Sequence, residues 1–262
     1  MNPNQEEALD DRHIFTTLRY DPTLLSSPPN TAASYGHPCA FYMLEHHFAR
    51  LRAANGTTAP AGHPTALLRE LSQAVEAWQA QHPGKHEHPP LRLKHRIHSQ
   101  THHTTTEIAP TATLTNDQMF PSSLHIPATH LPHTIPWRIR LDNLPTQPTH
   151  STAYKTSDRS SYDRARTSAG ITSLADKTEV LLFNPQGEIM DASISTPYFF
   201  REGKWVTPAA VCGGQQGTTR RWALETGLCV EAVVGKGSLC EGEVVWLSNA
   251  VRGYFSGRYV GL

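Results

Sequence analysis

Residues 179–193, EVLLFNPQGEIMDAS, carry the pattern that decides the fold. A largely apolar run over 179–183 leads into Asn184-Pro185-Gln186-Gly187, and a second strand-like run follows over 188–193. Proline second and glycine fourth in a four-residue segment favour a tight turn, and short apolar runs on each side of it favour strands. The stretch therefore predicts a β-hairpin.

Further strands around this hairpin make the second half of the chain β-rich. A Glu202-Gly203 turn predicts a second hairpin, and one helix is predicted to begin near Thr218 and to close at Gly227. Thirteen of the 17 glycines lie from residue 151 onward, whereas 17 of the 20 prolines lie before it, so the two halves are built differently. Strands are predicted over 197–200, 205–207, 243–247 and 254–255.

The first half predicts strands and amphipathic helices. Helical spacing of apolar residues predicts helices from Pro38 to Asn55 and from Pro64 to about Gln81. Residues 26–34 have the composition of a disordered stretch, and residues 99–134 are mostly loop or edge strand. Strands are predicted over 13–20 and 91–97.

These patterns predict two domains joined by a short connection. The N-terminal domain is expected over residues 1–140 and the C-terminal domain over 151–262. Residues 141–150 contain two prolines and little apolar pattern, so we interpret them as an interdomain linker with nothing to pack against.

Composition narrows the classes of partner. The 262 residues carry 23 Lys and Arg against 23 Asp and Glu, so no excess charge favours nucleic acid or an anionic membrane. The N-terminus lacks the order of a secretory signal, and no run approaches the roughly 18 apolar residues of a membrane span. The four cysteines are too scattered for a disulfide framework. We expect a soluble cytoplasmic protein with no nucleic-acid or membrane partner.

Histidine is concentrated in one segment. Eleven of the 16 histidines lie between residues 82 and 150, including His86-x-His88 and His102-His103. Such clusters suggest a metal site, but the surrounding proline and threonine predict loops. We interpret them as surface histidines and predict no metal.

A glycine-rich stretch, Val211-Cys-Gly-Gly-Gln-Gln-Gly217, leads into the helix predicted near Thr218. The unpaired amides at such a helix start and the helix dipole favour an anion, and the Thr219 hydroxyl adds a donor. The same residues also fit a glycine turn with a threonine cap and no ligand. The pattern is neither the lysine-bearing nucleotide loop nor a dinucleotide-binding motif.

A lysine segment, Tyr154-Lys155-Thr-Ser-Asp-Arg159, opens the second half. A lysine among charged residues is usually a solvated surface group. Together with the predicted anion site and the lone strand acid Asp191, however, Lys155 completes the requirements of pyridoxal phosphate. These are an amine for attachment, amides for the phosphate and a carboxylate for the pyridine nitrogen.

Six segments resemble, in the same order along the chain, the motifs of the fold-type IV, class IV aminotransferases. The resemblance implies an α/β (α+β) fold with a small N-terminal α/β domain and a larger β-barrel-like C-terminal domain, and it implies a homodimer. The segments are His47-Phe-Ala-Arg50-Leu51, Tyr154-Lys155-Thr-Ser-Asp-Arg159, Gly187-Glu-Ile-Met-Asp191, Thr207-Pro208, Gly217-Thr-Thr-Arg220 and Ser248-Asn249-Ala250.

The resemblance also implies roles for single residues. Lys155 would attach pyridoxal phosphate and act as the catalytic residue. Asp191 stands where the family usually has Glu, so its strand must lie closer to the ring nitrogen or a water must intervene. The residues implied to bind the phosphate are Arg50, Gly217, Thr218, Thr219, Ser248 and Asn249.

Within the family, two segments resemble the aminodeoxychorismate lyases more than the transaminases. They are Phe15-Thr16-Thr17-Leu18-Arg19 and Ser248-Asn249-Ala250. The resemblance implies a small amino substrate, 4-amino-4-deoxychorismate, converted to 4-aminobenzoate and pyruvate. The alternatives are a class IV transaminase acting on D-amino acids, branched-chain amino acids or (R)-amines, and a catalytically weak homologue that binds the cofactor.

Five residues are candidates for contact with that substrate. Thr16 and Thr17 would orient it, although the preference of threonine for strands explains both residues equally well. Arg19, Arg96 and Arg252 are candidates for its two carboxylates, because arginine matches carboxylate geometry. The plainer reading of an isolated arginine is a surface charge.

Overall fold

The computed structural model describes residues 12–55, 64–83, 89–124 and 137–261. Within these ranges the chain forms both helices and strands. In chain order they are β1 (His13–Tyr20), α1 (Pro28–Ala32), α2 (Leu44–Asn55), α3 (Pro64–Gln81), β2 (Leu91–His98), β3 (Thr104–Pro110), α4 (Asn116–Met119), β4 (Trp137–Leu141), α5 (His150–Ala153), α6 (Ser160–Ser168), β5 (Thr178–Phe183), β6 (Ile189–Ala192), β7 (Thr196–Arg201), β8 (Lys204–Pro208), α7 (Thr218–Glu225), β9 (Val230–Ala232), β10 (Val244–Asn249) and β11 (Gly253–Tyr259).

The described strands form two sheets of unequal size. The smaller is antiparallel in the order β1-β2-β3, and the larger has the order β6-β5-β4-β11-β10-β7-β8-β9. The larger sheet is mixed, because β4 runs parallel to both β5 and β11, and β8 runs parallel to β9. Both predicted hairpins, β5–β6 and β7–β8, are antiparallel pairs. The predicted α/β fold with a β-rich second half is confirmed.

The two faces of the small sheet have different neighbours. Ile14 and Leu18 of β1 and Leu91 and Leu93 of β2 lie in one apolar cluster with residues of α2 and α3. Successive strand residues point to opposite faces, so Phe15 and Thr17 lie on the other face. The small sheet therefore has one helix-covered face and one face turned away from the helices.

The stretch predicted to be disordered is folded, so that prediction is wrong. Residues Pro22–Ser26 form a 3₁₀ helix capped by Asp21, and α1 follows directly. The buried Asn30 amide donates to the carbonyls of Cys39 and Phe41, and its oxygen accepts from Met43 N. These internal hydrogen bonds order a segment whose composition alone suggests a loop.

The helix predicted from Pro38 begins instead at Leu44. Residues 38–43 cross the edge of the small sheet, where Phe41 bridges Tyr20, and Met43 takes a positive φ of 54° before the helix starts. Phe41 and Leu44 do have helical spacing, but Phe41 pairs with Tyr20 at the sheet edge and therefore lies before the helix.

Strand β4 joins the larger sheet, although the predicted boundary places residues up to 140 in the N-terminal domain. Its partners β5 and β11 follow much later in the chain, and local pattern carries no signal for that pairing. The proposed linker also packs: Asp142 is buried and pairs with Arg164 at 2.7 Å, and Thr146 accepts a second bond from Arg164. The reason given for a linker, that it has nothing to contact, is therefore wrong.

Candidate active site

The lysine segment lies against the edge of the small sheet. Phe15 N donates to the Lys155 carbonyl at 2.9 Å and Ser157 N donates to the His13 carbonyl at 2.8 Å. This edge of β1 is the one opposite β2, so the segment extends the sheet by a short antiparallel stretch. The capped helix α5 ends just before it and releases Tyr154 in an extended conformation. Lys155 is thereby fixed beside Phe15, with Nζ 5.1 Å from the ring centroid.

The Lys155 amine lies in a desolvated and positively charged environment. Burial, followed by the charges of Arg159 and Arg50, holds the pKa of Lys155 well below its usual value, while Asp191 acts in the opposite direction. A lowered pKa leaves more of the amine neutral at neutral pH, which is the form that attacks a carbonyl and accepts a proton.

Asp191 lies on β6 and is buried. Burial raises its pKa to about 7, against the lowering effect of the hydrogen bonds that it accepts. Its Oδ2 accepts from the Tyr162 hydroxyl at 3.1 Å and from Gln215 N at 3.4 Å. A buried carboxyl with a pKa near neutrality fits a partner with which it shares a proton, such as a ring nitrogen.

Gln215 links the amine to the acid. Its backbone N faces Asp191, and its side-chain Oε1 accepts from Lys155 Nζ at 3.5 Å. The preceding Gly214 makes this approach possible, because a Cβ there would lie 1.7 Å from the Met190 carbonyl oxygen. The Gln215 side-chain nitrogen is buried and has no hydrogen-bond partner among the described residues. Sequence reasoning missed Gln215, and its signal was the pair of glycines before it.

Arg159 and Tyr162 are two further residues that sequence reasoning missed. The guanidinium of Arg159 stacks 3.6 Å from the Tyr162 ring centroid and donates to the Ser193 carbonyl at 2.8 Å. Its charge acts on both Lys155 and Asp191. Arg159 ends the lysine segment, but nothing in the local pattern shows that helix α6 turns Tyr162 toward Asp191.

The start of α7 borders a cavity of about 380 Å³. Gly217 is the cap residue and Thr218 the first helical residue, and both line the cavity together with Arg50 and Tyr154. Thr218 Oγ1 and Arg50 Nε are buried without hydrogen-bond partners within the described ranges. Buried donors without partners beside a helix start fit a phosphate group, so these residues support the predicted anion site.

Arg50 belongs to a buried cluster with Thr16 and His47. Its Nη2 donates to Thr16 Oγ1, which also contacts His47 Nδ1 at 2.6 Å. Burial lowers the pKa of Arg50 to about 10, and burial followed by the Arg50 charge holds the pKa of His47 well below its usual value. Arg50 therefore supplies the charge of the cluster at neutral pH. Thr16, a candidate substrate contact, lies at this arginine, whereas Thr17 lies on the opposite face.

The other predicted phosphate residues lie behind the helix start. Ser248 Oγ bonds to Thr219 Oγ1 at 2.8 Å and to the Tyr198 hydroxyl at 2.7 Å, and both residues are buried. Asn249 Oδ1 accepts from the backbone nitrogens of Val251 and Arg252 and shapes the turn between β10 and β11. The structure thus brings Arg50, Gly217 and Thr218 to the cavity. Thr219 and Ser248 bond to each other, and Asn249 bonds to the turn that follows β10.

The three arginine candidates are separated by the fold. Arg19 is buried and donates twice to Asp21 and once each to the Ala112 and Val251 carbonyls. These contacts occupy most of its donors, which argues against Arg19 as a ligand of a substrate carboxylate. Arg96 pairs with Glu107 at 2.6 Å. Arg252 donates to the Leu174 carbonyl and stacks 5.3 Å from the Trp137 ring centroid.

Two absences bear on the classes of site and partner. Over 12–55, 64–83, 89–124 and 137–261, no three His, Cys, Asp or Glu side chains are grouped as metal ligands. His102 and His103 lie exposed between β2 and β3, and His86 and His88 lie outside the described residues. Of the helices that the structure describes, none has the length and apolar character needed to cross a bilayer.

A lysine with a lowered pKa, a buried acid within two contacts of it and a cavity with unpaired donors match the requirements of a phosphorylated cofactor. Residues 30–258 match the family model described as amino-transferase class IV, and the chain belongs to this family of pyridoxal-phosphate enzymes. The resemblance inferred from the sequence is therefore confirmed.

Two yeast proteins that resemble this chain are named as aminodeoxychorismate lyases. The chain is 31% identical over 139 residues to the aminodeoxychorismate lyase of Saccharomyces cerevisiae, a stretch that covers 47% of this chain and 37% of that protein. It is 35% identical over 124 residues to a provisionally named aminodeoxychorismate lyase of Schizosaccharomyces pombe, covering 45% of this chain and 52% of that protein. The matches thus span about half or less of these relatives.

A solved structure confirms the fold over nearly the whole chain. A provisionally named amino-acid aminotransferase from Mesorhizobium loti superposes with a TM-score of 0.67 at 22% identity, covering 96% of this chain and 100% of that one. At this identity the match defines the fold and leaves the reaction open.

Proposed function

We propose that this chain binds pyridoxal phosphate through Lys155 and converts 4-amino-4-deoxychorismate to 4-aminobenzoate and pyruvate. The observation that carries the proposal is the pair of groups on either side of Gln215: an amine with a lowered pKa and a buried acid with a raised one. The two yeast relatives named as lyases support the choice of reaction.

The residues present fit the cofactor. Arg50, Gly217 and Thr218 would hold its phosphate, because two of them bring buried donors without partners to the cavity. Asp191 would hold the proton of the ring nitrogen, and Lys155 would provide the attaching amine. Thr219, Ser248 and Asn249 would keep the helix start and the neighbouring turn in position. The bound cofactor supplies an electron sink for the carbanion that forms at the amino-bearing carbon.

Lys155 is the group placed to move the proton. Once its amine is released by the substrate, it takes the proton from C4 of the substrate, and its lowered pKa keeps the amine ready to accept it. Asp191 is held by the Tyr162 hydroxyl, which keeps the carboxyl from turning away from the site. Arg159, beside both, adds positive charge where negative charge develops.

The bond changes balance without an added reactant. The C4–H bond breaks and its proton goes to Lys155. The bond between ring C3 and the ether oxygen then breaks, and the three-carbon group leaves as enolpyruvate and becomes pyruvate. The ring becomes aromatic, which makes the step strongly favourable.

A class IV transaminase is the second candidate. It would use the same amine and the same acid. It would differ from the lyase in where the proton goes, because a transaminase returns the proton to a cofactor carbon. This candidate rests on membership of the class IV aminotransferase family. The third candidate, a weak homologue, rests on Asp191 in place of the usual Glu.

Assembly and compartment are also proposed. The family resemblance supports a homodimer. The described cysteines, Cys39, Cys212, Cys229 and Cys240, are all unpaired, which supports a reducing compartment such as the cytoplasm.

The decisive experiment supplies purified holoenzyme with 4-amino-4-deoxychorismate and measures pyruvate and 4-aminobenzoate. Parallel reactions contain a keto acid with D-alanine, a branched-chain amino acid or an (R)-amine. Equal amounts of pyruvate and 4-aminobenzoate, with little amino transfer, would support the lyase. Amino transfer without 4-aminobenzoate would support the transaminase, and cofactor absorbance with no turnover in either assay would support the weak homologue.

A further inference from the structure

The face of the small sheet that points away from the helices carries basic residues beside Lys155. Phe15 lies opposite Arg96, and Thr17 lies opposite Lys94, in the antiparallel register of β1 and β2. Directly opposed residues share a face, so these four side chains lie together. Lys155, bonded to β1 across from Phe15, adds its amine to the same side.

Lys94 and Lys155 approach the same aromatic ring. The Lys94 amine is 4.6 Å from the Phe15 centroid and the Lys155 amine is 5.1 Å from it. The two nitrogens are therefore no more than about 10 Å apart. Lys94 is half-buried. None of the ion pairs found among the described residues includes its ammonium. A cation over an aromatic ring is stabilised modestly, but its charge is not neutralised.

The charges around Lys94 leave an excess of positive charge. Arg96, Arg92 and Arg159 all act on its ammonium, and after burial they lower its pKa. Glu107 acts in the opposite direction, and Glu107 is already paired with Arg96 at 2.6 Å. Partly buried cations without a counter-charge are costly, so this cluster favours an anion that arrives with the substrate.

We propose that Lys94 binds a substrate carboxylate remote from the reacting amine and so determines specificity. Arg92 and Arg159 complete the anion site. The chemical class is an amino compound whose carboxylate lies across a ring from the amino-bearing carbon, rather than an α-amino acid, whose carboxylate lies next to that carbon. The proposal deepens the function proposed above and rests on it for the position of the reacting amine and for the carboxylate that lies across the ring from that amine.

The test measures binding to the holoenzyme with two probes of the same shape. 4-Aminobenzoate carries the carboxylate across the ring, and 4-aminobenzamide replaces it with an uncharged amide. The variants are Lys94→Met, which keeps the apolar stem over Phe15, Lys94→Arg, which keeps the charge, and Lys204→Met, a control at an exposed lysine of the β7–β8 turn.

We expect wild-type protein to prefer the carboxylate, and Lys94→Met to lose about tenfold or more of its affinity for 4-aminobenzoate with little change for the amide. Lys94→Arg should restore most of the preference, and Lys204→Met should behave as wild type. With 4-amino-4-deoxychorismate, Lys94→Met should raise KM far more than it lowers kcat.

Three results would overturn the assignment. The first is an equal loss of affinity for both probes in Lys94→Met. The second is unchanged affinity for 4-aminobenzoate in that variant, and the third is equal affinity of wild type for the carboxylate and the amide. The binding measurement needs no turnover, so it distinguishes failure of the Lys94 site from failure of the lyase reaction.

Discussion

The two ends of the candidate cofactor site differ in what their groups do with protons. At the anion end, Arg50 remains charged at neutral pH, and the start of α7 contributes donors that do not titrate. At the amine end, burial moves the pKa of Lys155 downward and that of Asp191 upward to about 7. Both of these groups therefore change charge more readily than their free forms. The comparison predicts that one end binds the phosphate and the other transfers protons.

The largest effect is expected at Lys155. Lys155→Ala removes the amine that attaches the cofactor and accepts the proton, so turnover should fall about 10²–10⁴-fold or more. Borohydride reduction of wild-type holoenzyme should leave a pyridoxyl group on the peptide that contains Lys155. Attachment should weaken as the pH falls below the lowered pKa of Lys155, because the amine then becomes protonated. Lys204→Ala is the matched control, and a modified peptide at Lys94 would contradict the assignment.

The second-largest effect on turnover is expected at Asp191, because the proposed contact of Asp191 is with the ring nitrogen of the cofactor and not with the attached carbon. Asp191→Asn keeps the shape but cannot hold the proton of a ring nitrogen as an ion pair, so proton abstraction should slow about 10²–10³-fold. Phosphate affinity should change little, since that contact lies at the other end of the site. Exchange of the substrate C4 proton with deuterated solvent reports the step directly.

Asp191→Glu tests how the shorter acid fits. A Cβ built on Gly214 would lie only 3.3 Å from the Asp191 Cβ, so the loop already packs closely against this side chain. The added methylene should therefore crowd the site and lower activity. Higher activity in Asp191→Glu would mean that the carboxylate of wild type is too far from its partner.

Arg50 should have a smaller effect, and on affinity. Arg50→Ala removes a charge-assisted hydrogen bond of about 1.5–3 kcal/mol, which is roughly ten- to a hundredfold in cofactor affinity. Arg50→Lys keeps the charge but not the bond to Thr16 and should lie between the two. Equilibrium binding of pyridoxal phosphate measures both variants. If affinity is unchanged in Arg50→Ala, Arg50 does not contact the phosphate.

Local signals explain which parts of this site the sequence predicts. The Asn184–Gly187 turn, the glycine-rich entry to α7 and the lysine segment are each encoded within a few consecutive residues. The alternation of β1 also carried a usable signal, because Thr16 and Thr17 had to face opposite sides of the strand. Their roles as substrate contacts therefore stay two separate predictions, because Thr16 lies at Arg50 and Thr17 lies opposite Lys94.

Long-range contacts explain what the sequence did not predict. The pairing of β4 with β5 and β11, and that of residues 155–157 with β1, join segments far apart in the chain. Gln215 and Lys94 acquire their positions from such contacts: Gly214 against the Met190 carbonyl, and β2 beside β1. Lys94 belongs to no motif, and Gln215 lies in the glycine-rich stretch without a role that the local pattern assigns, so neither was a candidate.

The smallest effect is expected at Tyr162, which touches Asp191 from outside the proposed cofactor contacts. Tyr162→Phe keeps the ring on which Arg159 stacks and removes one hydrogen bond, worth about 1 kcal/mol. That bond lowers the pKa of Asp191, so its loss should raise this pKa further, by somewhat less than one pH unit.

An acid whose pKa is raised on folding is stabilised in its protonated form, so its contribution to stability is present at low pH and is lost as the pH rises through about 7. In cofactor-free protein, the stability difference between wild type and Asp191→Asn should therefore decline from pH 5 to pH 8, and Tyr162→Phe should move that decline to higher pH. Thermal unfolding across this range measures it. In the holoenzyme the acidic limb of kcat should shift in the same direction, with only a few-fold loss at its maximum. If Tyr162→Phe leaves both profiles in place, the hydroxyl bonds to the Thr152 carbonyl instead, and Asp191 is held by Gln215 alone.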